Sequence, residues 1–89
     1  MKLDKDTNHI RNDTLTNNFY IKDNIEYLRK KKKISQEALG KLLGYSRTTV
    51  GNWETGYRIP DVIDLFRLSR IFDVTTDDLI SKNFKIEGK

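Results

Sequence analysis

Among the residue types that carry out chemistry, this chain of 89 residues holds few in catalytic company. It has no cysteine, which excludes a thiol nucleophile, a disulfide framework and a Cys-type zinc site. Its single histidine, His9, stands in a polar stretch with no second ligand beside it, so it is neither a metal site nor a base. There is no Gly-rich phosphate loop, no HExxH, no nucleophile elbow and no carboxylate pair with a reason to share a pocket. What the sequence concentrates instead is hydrogen-bonding capacity. The stretch SRTTVGNWETG, Ser46–Gly56, gathers the hydroxyls of Ser46, Thr48, Thr49 and Thr55 with Arg47, Asn52 and the sole tryptophan, Trp53. A guanidinium offers a planar fork of donors, a carboxamide a donor beside an acceptor, and a hydroxyl both at once.

Such groups recognise a partner only when a rigid element holds them. Val50 and Trp53 are three apart and share one helical face, while Arg47, Thr48, Gly51 and Asn52 point elsewhere. Ser46 suits an N-cap and Gly56 a stop, so the stretch is predicted to be a helix. Trp53 has the phase of a core anchor rather than of a base-stacking platform. Upstream, Ile21, Ile25 and Leu28 recur at i, i+4, i+7, the signature of a helix that ends in Arg29 and the run Lys30–Lys33. Ser35 caps a second helix with Leu39 and Leu42 or Leu43 inward, closed by Gly44. Pro60 makes YRIP an extended connector. After it, Val62, Leu65, Leu68, Ser69 and Phe72 share the face of a fourth helix. Thr75 with Asp78 resembles a capping box that opens a short fifth helix with Leu79 and Ile80. No stretch alternates as a strand does. The expectation is an all-α, compact five-helix domain over residues 19–81, after a flexible polar arm at 1–18 and before a polar tail at 82–89.

Composition bounds the class. A chain this short buries ~60% of its unfolded surface, too little to frame a deep cleft. No apolar run approaches a membrane span, and the N-terminal residues lack the apolar region of a signal peptide, which predicts a cytoplasmic, soluble chain. The net charge of +4 is unevenly spread. Residues 1–20 balance to zero, residues 21–60 carry nine basic and four acidic side chains, and residues 61–89 carry five and six. The positive charge therefore surrounds Ser46–Gly56, as an electrostatic footprint on a polyanion would. The same excess is also the ordinary solvated surface of a small domain, and Lys30–Lys33 are assigned only a diffuse role.

Two short helices joined by a glycine-containing turn can form a helix-turn-helix, although such pairs also occur in proteins that never touch DNA. Here the residues carry more. ISQEALGKLLGYSRTTVGNWETGYRIP, preceded by IKDNIEYLRKKKK and followed by DVIDLFRLSRIFDVTTDDLI, resembles the lambda-repressor/Cro-like helix-turn-helix family of bacterial and phage transcriptional regulators. The resemblance runs from Ile21 to Ser81. It implies a helix-turn-helix at helices two and three, Ser35–Leu43 and Ser46–Glu54, the latter the recognition helix that enters the major groove of double-stranded DNA. The family's base-reading positions fall at Arg47, Thr48 and Asn52, whose side chains suit guanine, thymine and adenine. Gln36, Ser46, Thr49, Thr55, Tyr57 and Arg58 fall where the DNA backbone is held. Arg29 and Glu54 fall where family members form an ion pair that supports the recognition helix, with Val50 and Trp53 as its packing. The family's helix-two alanine is Gly40 here, an exchange expected to cost about 0.5–1 kcal/mol of helix stability.

Helix four leaves a surplus stripe of Ile63, Phe66 and Arg70 at i, i+3, i+7, with Ile71 nearby. It is read as a homodimer face, which the resemblance favours; the alternative is that Phe84 and Ile86 fold back over it. The function implied is a sequence-specific DNA-binding transcriptional regulator, a repressor reading a pseudo-palindromic operator. An antitoxin-like or adaptor protein, with another polypeptide as its main partner, is the alternative. No cofactor, metal or enzymatic activity is expected.

Overall fold

The computed structural model describes residues 19–88. The arm at 1–18, with His9, and the terminal Lys89 lie outside the described residues. Five α-helices follow one another: α1 Ile21–Lys31, α2 Gln36–Leu43, α3 Arg47–Thr55, α4 Val62–Phe72 and α5 Thr76–Ser81. A single π-helical turn, Phe84–Gly88, comes last, and there is no strand among the described residues.

The helix ends are written in short polar side chains. Ser35 accepts the Ala38 N–H at 2.9 Å, Asp61 the Asp64 N–H at 2.8 Å, and Thr75 the Asp78 N–H at 2.9 Å. Each satisfies an N–H that the first helical turn leaves without a partner. Gly44 and Gly56 close α2 and α3 with φ of 85°, a left-handed conformation that a side chain would strain.

Inward faces then assemble one core. Ile25 and Leu28 of α1, Leu39 and Leu43 of α2, Val50 and Trp53 of α3, Leu65, Leu68 and Phe72 of α4 and Leu79 of α5 are all buried in it. α3 lies against α2 and α1, while α5 lies against α1 and α4. Between the two leucines left open by periodicity, Leu43 is the buried one and Leu42 is exposed. Val62 departs from expectation. It is the first residue of α4 and 72% exposed, while Pro60 and Asp64 are the buried residues at that end. Leu65, Leu68, Ser69 and Phe72 do face inward.

The segment expected to be a polar tail is docked instead. Phe84 is buried in the core and its turn packs on α1, whereas Ile86 stays exposed. The device that holds it is Asn24, fully buried on α1. Its amide nitrogen donates to the carbonyls of Leu79 at 2.8 Å and Lys82 at 2.6 Å, and its amide oxygen accepts the Phe84 N–H at 3.2 Å. One side chain thereby satisfies three backbone groups where α5 ends. Neither Phe84 nor Ile86 covers the α4 stripe, where Ile63 and Phe66 remain exposed. Ile71 is half-buried against the core and does not belong to that exposed stripe.

Replacing Asn24 with leucine keeps the volume but strands buried backbone groups. The Asn24→Leu chain is expected to lose about 1–3 kcal/mol of stability, read as a lower urea midpoint at unchanged slope.

Candidate nucleic-acid interface

The turn between α2 and α3 is unusually close to the helix it leaves. A Cβ on Gly40 would stand 2.7 Å from the Tyr45 carbonyl oxygen and 3.0 Å from that of Ser46. Both are backbone atoms, so even the alanine of the family pattern would push the turn outward. Gly40 is thus a requirement of this turn, beyond the propensity cost expected from sequence. The Tyr45 N–H completes the turn on the Gly40 carbonyl at 2.8 Å.

From that turn α3 emerges with two distinct sides. Val50, Trp53 and Glu54 are buried, whereas Arg47, Thr48 and Thr55 are exposed and Thr49, Gly51 and Asn52 are half-buried. Ser46 has extended N-cap backbone angles, but its hydroxyl makes no capping hydrogen bond, contrary to the cap expected of it. Thr55 turns its hydroxyl onto the Asn52 carbonyl at 3.2 Å and accepts the Tyr57 N–H at 3.3 Å, which shapes the exit of α3. Tyr57 and Arg58 follow on the surface, the guanidinium 5.5 Å from the ring centroid. The Arg58 N–H bonds the Asn52 carbonyl at 3.1 Å, tying the connector to the helix. Thr49 and Asn52 open onto a shallow cleft shared with Tyr45, Arg58 and Asp61. Ser46, Arg47, Thr48, Thr55, Tyr57 and Arg58 are exposed on α3 and at its ends, and the half-buried Asn52 shares the cleft with Arg58.

The support of α3 is ionic. Arg29 meets Glu54 side-on, Nε to Oε2 at 2.6 Å and Nη2 to Oε1 at 3.0 Å, with both side chains nearly excluded from solvent. The remaining arm of the guanidinium donates to the Ile34 carbonyl at 2.9 Å. Gln36 adds its amide nitrogen to Glu54 Oε1 at 2.9 Å, so this side chain, expected to grip a phosphate, also braces α2 on α3. The Glu54 hydrogen bond holds the Arg29 guanidinium above its already high ordinary value.

A second polar group, not foreseen from sequence, joins the turn to α4. The Tyr45 hydroxyl donates to the Asp64 carboxylate, 2.9 Å and 3.1 Å from its two oxygens. Arg67 bonds the same carboxylate at 3.2 Å and the Leu43 carbonyl at 2.7 Å. The Tyr45 ring stands edge-on to Trp53, with centroids 5.7 Å apart. The bond to Asp64 raises the Tyr45 phenol above its ordinary value. The only sequence signal was an aromatic residue directly after Gly44. Among the described residues no group of acidic or histidine side chains could hold a metal ion, and no helix is long and apolar enough to cross a membrane.

Breaking the ionic support from one side leaves a lone buried charge. Arg29→Met and Glu54→Leu are each expected to cost about 3–5 kcal/mol, whereas the double variant should cost less than the sum. Denaturant titration of the three variants measures the difference.

The chain is similar to other proteins across these helices. A family model described as helix-turn-helix matches residues 25–79. The chain is similar to the HTH-type transcriptional regulator AnsR of Bacillus subtilis (strain 168), 38% identical over 60 residues that cover 67% of this chain and 52% of that protein. It is also similar to the HTH-type transcriptional activator BcrR of Enterococcus faecalis, 37% identical over 59 residues, 66% of this chain and 29% of that one. Among solved structures it is similar to the P22 c2 repressor protein, crystallised in complex with synthetic operator 9T in the presence of Tl+. That match has a TM-score of 0.63 at 32% identity, covering 78% of this chain and 96% of the other. The chain spans about half the length of AnsR and under a third of BcrR. With a model matched across most of its helices, the chain belongs to the helix-turn-helix family.

Proposed function

We propose that the chain is a sequence-specific, double-stranded-DNA-binding transcriptional regulator that docks α3 in the major groove. The observation that carries this reading is the division of α3 into a buried side, Val50, Trp53 and Glu54, and an accessible side bearing Arg47, Thr48 and Asn52. An element so anchored holds its outer side chains in register, and their donor and acceptor patterns match base edges. Arg47 suits guanine, Asn52 adenine and Thr48 a thymine methyl or a base-edge acceptor. Ser46, Gln36, Thr49, Thr55, Tyr57 and Arg58 flank them as the groups that fix register on phosphates. The relatives named as regulators and the P22 c2 repressor's complex with an operator support the same reading. We assign repression as the mode of action, by occupation of an operator in the cytoplasm, with no catalytic step.

The active form is a homodimer through α4. Ile63 and Phe66 are exposed with Arg70 over the Phe66 ring at 5.4 Å, and Val62 on the same helix is exposed too. A surface of this kind at the rim of a basic domain suits a second copy. Two copies would read half-sites one helical turn apart, ~34 Å.

In-vitro selection of bound duplexes is expected to yield a two-fold symmetric motif. Asn52→Ala should relax one base position in each half-site at a cost of about 1–3 kcal/mol. Binding should weaken steeply with salt, since several phosphate contacts release counterions; a shallow dependence, or identical motifs for both proteins, contradicts the assignment. Phe66→Glu should give a monomer in sedimentation that binds a half-site but no longer prefers the palindrome. A chain that is monomeric without the substitution, yet purifies with a stoichiometric polypeptide, would favour the adaptor or antitoxin-like alternative.

A further inference from the structure

Two elements must move together if a dimer is to read two half-sites: α3, which meets the bases, and α4, which meets the partner copy. In this chain their polar connection is made beside one glycine. Gly44 closes α2 and opens the turn, with nothing within 4 Å of where a Cβ would be. On either side of it α4 takes hold. Arg67 binds the Leu43 carbonyl just before Gly44, and Asp64 binds the Tyr45 hydroxyl just after. Arg67 and Asp64 also bond each other, so the two grips form one unit. The Tyr45 ring carries the grip onward to Trp53, the anchor of α3, and the Arg67 guanidinium lies 6.0 Å from the same ring.

Arg67 has a second relation. It stands at i+4 from Ile63 and i−3 from Arg70, within the stripe that faces outward on α4. Asp64 is buried and its carboxylate is held by both the Tyr45 hydroxyl and Arg67, so it is a fixed point rather than a mobile surface charge. A fixed carboxylate and a half-buried arginine therefore relate the outer stripe of α4 to the turn that launches α3.

We propose that Tyr45, with Asp64 and Arg67, is a positioning group that sets the angle of α3 relative to the α4 dimer face and thereby makes the protein selective for one half-site spacing. This rests on the dimeric DNA-binding reading above. A shift of one base pair moves the second half-site by about 3.4 Å and rotates it by about 35°. A dimer with a rigid connection cannot follow both changes, whereas a loosened turn can. Tyr45 touches no base in this role; it acts through α3.

The experiment uses the full chain, the selected half-site motif, and duplexes in which the two half-sites are separated by the preferred spacing or by one base pair more or less. Wild type is expected to bind the preferred spacing at least about tenfold more tightly than either neighbour, about the cost of one mismatched pair. Tyr45→Phe keeps the ring and its contact with Trp53 and removes only the hydroxyl. Arg67→Met removes the grip on the Leu43 carbonyl and leaves Tyr45 in place. Both are expected to stay dimeric in sedimentation, unlike Phe66→Glu, and to keep the half-site motif and the affinity for an isolated half-site, while the spacing preference falls to threefold or less, about 0.7 kcal/mol; loss of the preference through loss of the dimer overturns the assignment. Asp64→Asn, which keeps an acceptor for Tyr45, should retain more of the preference than either. If both variants show the wild-type spacing profile, the proposal is overturned. Loss of the half-site motif together with the spacing preference also overturns it, because the group is then merely structural. A wild type with no selected motif, or with no spacing preference, overturns the dimeric reading itself and is told apart by that first control.

Discussion

The rest of the molecule depends on the ion pair between Arg29 and Glu54. Its atoms draw together the last turn of α1, the connector at Ile34, the first residue of α2 and the last turn of α3. Desolvating two charges is expensive, and an apolar pair of similar volume would hold the helices about as firmly. The difference lies in what a misplacement costs. If α3 slid or rotated against α1, a charge would stay buried without its partner, and the side-on geometry of two parallel hydrogen bonds would be lost. An apolar contact would tolerate the same displacement at much smaller cost. For a helix whose outer side chains have to meet another surface in register, that penalty is worth more than extra stability.

The same logic recurs at two smaller places. Asn24 clamps the end of α5 and the Phe84 turn onto α1, and Tyr45 with Arg67 clamps the interhelical turn onto α4. A domain of this size has a limited apolar core, and non-directional burial by itself allows alternative packings. Each polar group demands particular partners and penalises their absence. The core supplies the driving force and the polar groups select the arrangement. They also free α3 to carry small polar residues outward, since Val50, Trp53 and Glu54 suffice to anchor it.

Much of this was legible in the chain itself. Helix periods, caps at Ser35 and Thr75 and stops at Gly44 and Gly56 are local properties, so the order and type of the helices followed from short windows of sequence. The side of α3 that faces inward followed from the phase of Val50 and Trp53. The misreadings share a different character. Val62 has the apolar type and roughly the phase of a core residue, yet it stands exposed in the first turn of α4, where Pro60 and Asp64 are the buried residues. Phe84 lies in a segment too polar to look folded, yet one asparagine sixty residues earlier secures it. Gln36 is no misreading, but its amide nitrogen has a partner that no local pattern announced, the buried Glu54 carboxylate. Gly40 looked like a weak residue for a helix, but the close passage of the Tyr45 and Ser46 backbone demands it.

The sequence by itself therefore determined an all-helical domain, the placement of its turns, and an α3 that anchors on one face and presents polar groups on the other, because these depend on contacts within one or two helical turns. Only the tertiary structure decided the partners of Asn24, Gln36, Tyr45, Asp64 and Arg67, and the exposure of Val62 against the burial of Phe84. Those outcomes turn on distances between residues tens of positions apart. Periodicity says which side a residue faces, and carries no information about which neighbour will be waiting there.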